Sequence, residues 1–185
     1  FNLVTVAEVQ WTEVSPQLTY LLETLSFPQE DTALAIETVP PNWILYVHST
    51  ARFGFLYPDT WQVSETETAA EAILAEQNFR FSLSALPGTD TPEIVLQSYI
   101  DGLSESAESF EALPVQAYQA EGSAGYVIDY LYTNEGAVPI AGSSIVTQID
   151  GTPYLITITA PAVVYEEALI WFNPMLQSFQ VFGPE

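Results

Sequence analysis

Nucleophile–base chemistry in this chain would have to run through one histidine, His48, because the 185 residues include no cysteine and no lysine. A Ser-His-Asp device also needs a serine set on a sharp turn beside the imidazole. The segment nearest to such a turn, Gly122-Ser123-Ala124-Gly125, has Glu121 where the preceding glycine of a nucleophile elbow belongs. His48 therefore reads as a packing or surface residue at a strand end, and no catalytic residue is assigned. Without thiols there are no disulfides, no cysteine catalysis and no thiolate metal sites. Carboxylate chemistry remains. Glu65/Glu67, Glu105/Glu108 and Glu166/Glu167 are close pairs. Two carboxylates can hydrolyse a glycoside, and a two-carboxylate hydrolase is the least favoured reading. Calcium needs about six to eight oxygens from a tight loop, and no Asp-x-Asp-x-Asp-Gly loop occurs. With 24 acids in the chain, such pairs arise by chance, so diffuse cation binding is expected and calcium is the only candidate cofactor.

Asp129 stands inside an apolar strand, on the phase of Val127 and Leu131 and opposite to Tyr126, Ile128 and Tyr130. A carboxylate on a covered face needs a partner. Arg80, one of two cations in the chain, lies on the polar phase of another strand and is expected to pair with it. The stripe Tyr126/Tyr130/Tyr132 could stack a sugar or a base, although cross-strand packing is the commoner use of such a row.

The charge balance excludes other classes of partner. A formal charge of -22 repels phosphate backbones and anionic headgroups, so no nucleic-acid partner is expected. No apolar run approaches the roughly 18 residues that span a bilayer, so no direct insertion in a membrane is expected either. The first residue is Phe1 and not Met, and the surface must rely on Ser, Thr and Gln. Together these features suggest a processed, exported protein that is extracellular, periplasmic or lumenal, or at the cell surface.

The elements that would position these groups begin with a distinct N-terminal segment. Val4/Val6 and Val9/Trp11 have period two, with a phase break near Ala7, and read as a strand. Residues 15–27 read as a helix capped by Ser15; residues 32–39 read as a short strand before Pro40-Pro41. From Trp43 onward strands dominate. Phe79, Phe81 and Leu83 alternate with Arg80, Ser82 and Ser84, while residues 68–77 are ambiguous, with a helical composition but a short length. Residues 92–106 and 162–178 carry helical apolar stripes. Pro174 should kink the second of these, or Asn173 should restart it. Asp150-Gly151 suits a two-residue hairpin turn. One antiparallel sheet over residues 43–182, with both helices packed on it, is the expected architecture.

The order of several segments carries a resemblance. "ARFGFLYPDTW", then "GYVIDYLYT", "QIDGTPYLITITAP" and "FNPMLQSFQV" together resemble the PsbP-like family, whose fold is shared with a eukaryotic Ran-binding import factor. The resemblance covers about residues 43–182. It implies an α+β fold, an antiparallel β-sheet flanked by helices in an α/β/α sandwich, for the PsbP-like domain over 41–185; the N-terminal strand-helix extension over 1–40 lies outside the resemblance. It also implies non-enzymatic roles, in extrinsic or assembly subunits. In the residues themselves, Phe53, Phe55 and Tyr57 share one strand face, Pro58 ends that strand, and Trp61 folds back on the same core as a structural corner.

These readings converge on a non-catalytic, exported interaction or assembly protein, a structural subunit whose partners are other protein subunits, including further copies of itself. The alternative is an extracytoplasmic divalent-cation or small-ligand binding protein. Phe1, Leu3, Val4, Val6, Val9 and Trp11 are the expected partner-binding residues, because they hold too much apolar surface to leave in water. They would dock on an edge of their own sheet or pair with a neighbouring copy, which would polymerise the protein.

Overall fold

A computed structural model describes residues 42–86, 88, 90–120, 123–134 and 137–182. The expected extension over residues 1–40 lies outside the described residues. Within them the chain forms β1 (Trp43–Val47), β2 (Phe53–Pro58), β3 (Gln62–Glu65), β4 (Ala69–Leu74) and β5 (Phe79–Ala85). Helix α1 (Pro92–Ser106) follows, then β6 (Ser109–Ala112), β7 (Gln116–Ala120), β8 (Ser123–Thr133), β9 (Ile140–Ile149) and β10 (Thr152–Pro161). A 3₁₀ turn (Ala162–Val164) leads into α2 (Tyr165–Gln177), and β11 (Gln180–Val181) closes the fold. Neither β6 nor β11 is visible in the periodicity of the sequence.

The strands do not form the single sheet that the sequence suggests. They divide into a three-stranded sheet, β1-β2-β11, and an eight-stranded sheet, β3-β4-β5-β10-β9-β8-β6, with β7 paired to β8. The division falls at Pro58, which cannot donate to a ladder. There the chain turns, with Asp59 N–H bonded to Asn42 C=O at 2.8 Å and Trp61 N–H bonded to Pro58 C=O at 3.0 Å. It leaves the small sheet and enters the large one as β3, which pairs with β4.

Period-two alternation gives the large sheet two apolar faces. Phe79, Phe81, Leu83, Ile145, Ile156 and Ile158 line one of them, and on it sit Phe53 and Phe55 of the small sheet with Leu169, Phe172 and Leu176 of α2. Burying each of these side chains contributes about 1.5–3 kcal/mol. Ile128, Tyr130 and Val146 line the other face and meet Leu96 and Ile100 of α1. The result is a helix–sheet–helix sandwich whose second outer layer also holds the small sheet. Gly142 is required by contact: a Cβ there would lie 2.6 Å from the ring of the buried Tyr130.

Local signals agree with this layout where they are specific. The Thr91 hydroxyl accepts from Ile94 N–H at 3.4 Å and Pro92 occupies the first turn of α1. Asp150 and Gly151 have φ of 50° and 79°, the two left-handed positions of a type I′ turn. The ambiguous segment after Thr68 is strand β4, with Ala70 and Ala72 buried on the core face. Pro174 does not divide the last helix. It lies inside α2, and Asn173 Oδ1 is buried with no hydrogen-bond partner, so it caps nothing. Phe172, Met175 and Leu176, on both sides of the proline, are buried in the same core, and that packing carries the helix past one missing N–H.

Candidate functional site: the edge of the small sheet

β1 and β2 are antiparallel, with Trp43 opposite Pro58 and Val47 opposite Gly54. Two bonds fix which residues share the ladder: Asp59 N–H to Asn42 C=O and His48 N–H to Phe53 C=O, both 2.8 Å. Hydrogen-bonded and non-bonded pairs alternate along an antiparallel ladder. Ile44, Tyr46 and His48 therefore spend their backbone groups on β2. Trp43, Leu45 and Val47 point theirs the other way, toward an edge that no strand covers among the described residues. The side chains there are apolar and exposed: Ile44 is 44%, Leu45 39% and Val47 51% accessible. Edge strands are commonly blunted by charge, proline or a bulge, and the sequence WILYV contains no charge and no proline.

The opposite flank of β2 is fully used. Gly54 pairs with Gln180, Phe182 N–H donates to Arg52 C=O at 2.7 Å, and Pro58 has no N–H to place. Where β11 runs out, the Ser178 hydroxyl accepts from Leu56 N–H at 2.8 Å and donates to Met175 C=O at 2.8 Å. Ser178 thus ends α2 and continues the ladder of β2 at the same time. It was missed as a positioning residue in the sequence, where its only signal is its place in the closing Ser-Phe of "FNPMLQSFQV". β1 is also tied to the large sheet, because the Tyr46 hydroxyl and the Ser49 hydroxyl both donate to the Glu65 carboxylate of β3. These bonds, Tyr46 first, hold the Glu65 carboxyl below its ordinary range.

The groups considered for catalysis are placed elsewhere and put to structural use. His48 is buried against Phe53, ring centroids 4.7 Å apart. Its Nδ1 accepts from Thr50 N–H at 3.1 Å and Ala51 N–H at 3.0 Å, so in the neutral ring the proton is on Nε2 and neither nitrogen is free to act as a base. Asp129 does not pair with Arg80. Arg80 lies on the row of Thr159, Gly142 and Tyr130, one residue out of phase and so on the opposite face, where it bonds Glu71 at 3.3 Å. The partner of Asp129 is its register neighbour Ser143, whose hydroxyl donates to it at 2.5 Å. With that proton committed, the Tyr165 hydroxyl of α2 donates to Ser143 Oγ at 2.7 Å. Burial pushes the Asp129 carboxyl up to about 6 against the lowering effect of Ser143. Burial first, and then Asp129, push the Tyr165 phenol up.

The tyrosine stripe likewise packs: Tyr130 is fully buried beneath α1, near Tyr99, Phe110 and Tyr132. A cleft of 390 Å³ opens between the two sheets, lined by Arg52, Glu67, Thr68, Asp150, Tyr154 and Phe182 among others. Arg52 sits there with a left-handed φ of 56°. Among the described residues no group of three or more His, Cys, Asp or Glu is placed to hold a metal ion, and no helix is long and apolar enough to cross a membrane. The six expected partner-binding residues, Phe1, Leu3, Val4, Val6, Val9 and Trp11, lie outside the described residues.

The layers and strand order define an α+β sandwich of the PsbP type, as the resemblance implied. The cyanobacterial PsbP (CyanoP) of Synechocystis sp. PCC 6803 has this fold: it is 14% identical, the match covers 83% of this chain and 99% of that chain, and the TM-score is 0.60. The Ran-binding protein Mog1p of Saccharomyces cerevisiae is 13% identical over 76% of this chain and 95% of that chain, with a TM-score of 0.53. No family model and no curated protein matches the sequence.

Proposed function

We propose that this protein is a non-catalytic, exported interaction subunit that joins other protein subunits, including copies of itself, by strand pairing at the β1 edge. The observation that carries this reading is the edge itself: Trp43, Leu45 and Val47 turn backbone groups outward that no strand pairs among the described residues, and the side chains of Ile44, Leu45 and Val47 are exposed. Main-chain bonds along such an edge supply affinity, and the alternating side chains supply specificity. Mog1p, a Ran-binding protein of the same fold, supports a protein-binding role. The lysine-free, cysteine-free composition suits export, and the acidic surface favours joining at moderate ionic strength. Light scattering on the purified chain at moderate NaCl tests this. The parent is expected to form species larger than a monomer, and Val47→Lys, which places a charge on the edge, is expected to return it to monomer with its unfolding transition intact. A parent that remains monomeric across concentration and salt, with and without calcium, would end the reading.

A second reading, binding of a small ligand, draws on the cleft. Arg52 could receive a carboxylate there, with Glu67 and Asp150 facing an ammonium group. Calorimetry with free amino acids checks it. A saturable heat lost in Arg52→Ala would favour this reading, and no heat would remove it.

A further inference from the structure

We infer that the β1 edge suits a basic strand: an extended, apolar segment of a different protein that carries lysine or arginine at both ends. The inference rests on the reading of that edge as the interaction site and names the chemistry of its partner. Both faces of the edge are apolar. Side chains alternate along a strand, so Leu45 and Val47 stand on one face and Ile44 on the other, and all three are exposed. The middle of an incoming strand therefore meets apolar neighbours on either side and is itself apolar on both. The edge is also held in place before a partner arrives, which lowers the cost of binding. Trp43 at one end stacks on Trp171 of α2 with ring centroids 6.4 Å apart, and Tyr46 near the other end is bonded to Glu65.

The ends of the edge are acidic. Asp59 lies across from Asn42, bonded to its C=O through the backbone N–H, and is exposed. Glu65, also exposed, stands at the Tyr46–Ser49 end, where each of its carboxylate oxygens takes one hydroxyl. A carboxylate oxygen can accept a second hydrogen bond, so Glu65 keeps capacity for a cation. Asn42 and Tyr46 are separated by about 13 Å of strand, which sets the partner's two cations about four to six residues apart. The chain has two cations of its own, and both are placed elsewhere. Arg80 pairs with Glu71 on the large sheet, and Arg52 lines the cleft between the sheets, on the β11 side of β2. A second copy is the poorer occupant. Two β1 edges paired antiparallel about a two-fold axis set the Asp59 end of each against the Glu65 end of the other, and like charges placed opposite one another are destabilising. The rest of that copy's charge of -22 adds to the repulsion. Copies therefore pair with the help of salt, whereas a basic strand pairs best without it.

Peptide titration of the full-length chain, followed at backbone amides by NMR, tests the inference. The probe is a six-residue peptide of alternating valine and tyrosine with lysine at each end; its control has glutamate at each end. At low NaCl the lysine-ended peptide is expected to shift the Leu45 and Val47 amides and to bind at least about tenfold more tightly than the control, because it gains two ion pairs where the control meets two like charges. The preference is expected to vanish in about 1 M NaCl, where the Debye length is about 3 Å, and in Asp59→Asn/Glu65→Gln, which keeps an acceptor for Tyr46 and Ser49. The Ile44 and Tyr46 amides, bonded to β2, should keep their slow exchange in parent and variant alike and so report that the fold is intact. Equal binding of the two peptides would overturn the inference and leave strand pairing standing, as would a preference that survives in the variant. Shifts scattered over the acidic surface, or none at Leu45 and Val47 with either peptide at millimolar concentration, would also overturn it; light scattering of the parent and Val47→Lys then decides strand pairing by itself.

Discussion

Asp129 shows how far a single residue can be read. Its phase predicts burial, and burial demands a partner, so the need was legible. The identity of the partner was not, because it depends on the register between β8 and β9, which sets Ser143 and not Arg80 opposite it. A neutral hydroxyl is a weaker partner than a guanidinium, and this has a consequence with a definite sign. The folded-state carboxyl titrates near 6, above the ordinary value of about 3.9 for an unfolded chain. Between these values the folded state holds the extra proton, so this group's stabilisation is complete below about pH 4 and is lost as pH rises through 6. Asp129→Asn should therefore be more stable than the parent at pH 7.5, by roughly 1–3 kcal/mol, and the two should converge at pH 4. Urea midpoints of both proteins across this range measure it; a gap that is constant with pH would show that the carboxyl does not carry the effect.

At the scale of elements, strong local signals are legible in the sequence and long-range pairings are not. The alternation of Phe79, Phe81 and Leu83 gave β5 outright, and Asp150-Gly151 gave the turn between β9 and β10. β11 has two residues, too few for any period, and exists because β2 offers it Gly54 and Arg52. The split into two sheets follows from what Pro58 cannot do and from where Ser178 arrives, 122 residues after the Leu56 from whose N–H it accepts. That serine makes an element-scale prediction. Ser178→Ala leaves the N–H of the buried Leu56 without an acceptor and should cost about 1–3 kcal/mol. Denaturant unfolding should show a lower midpoint with an unchanged m-value. The candidate site divides in the same way. The apolar character of residues 1–11 is plain in the sequence. The edge of β1 appears only when the bonds at Asn42 and His48 fix which backbone groups face outward.

Charge governs how the whole molecule responds to its solvent. Among the described residues the one ion pair is Arg80–Glu71, on the surface, and exposed pairs contribute at most about 1 kcal/mol. Repulsion among carboxylates is therefore little offset, and screening should relieve it. The melting temperature is expected to rise between low and moderate NaCl, followed by circular dichroism. A fall over that range would show that attractive pairs outweigh the repulsion.

The pairing of β2 with the last strand also sets the order of events during synthesis. Phe53 and Phe55 leave the ribosome early, but Phe172, Phe179 and the two residues of β11 that close over them follow only about 120 residues later. At about 5–20 residues per second, the small sheet waits roughly 6–25 s with one side open. Because its final contacts are so remote in sequence, loop closure must precede most of the gain from burial, which slows folding. The fold is latched at its C-terminal end, and until Ser178 and Phe182 arrive the newborn chain depends on its own solubility to stay unentangled.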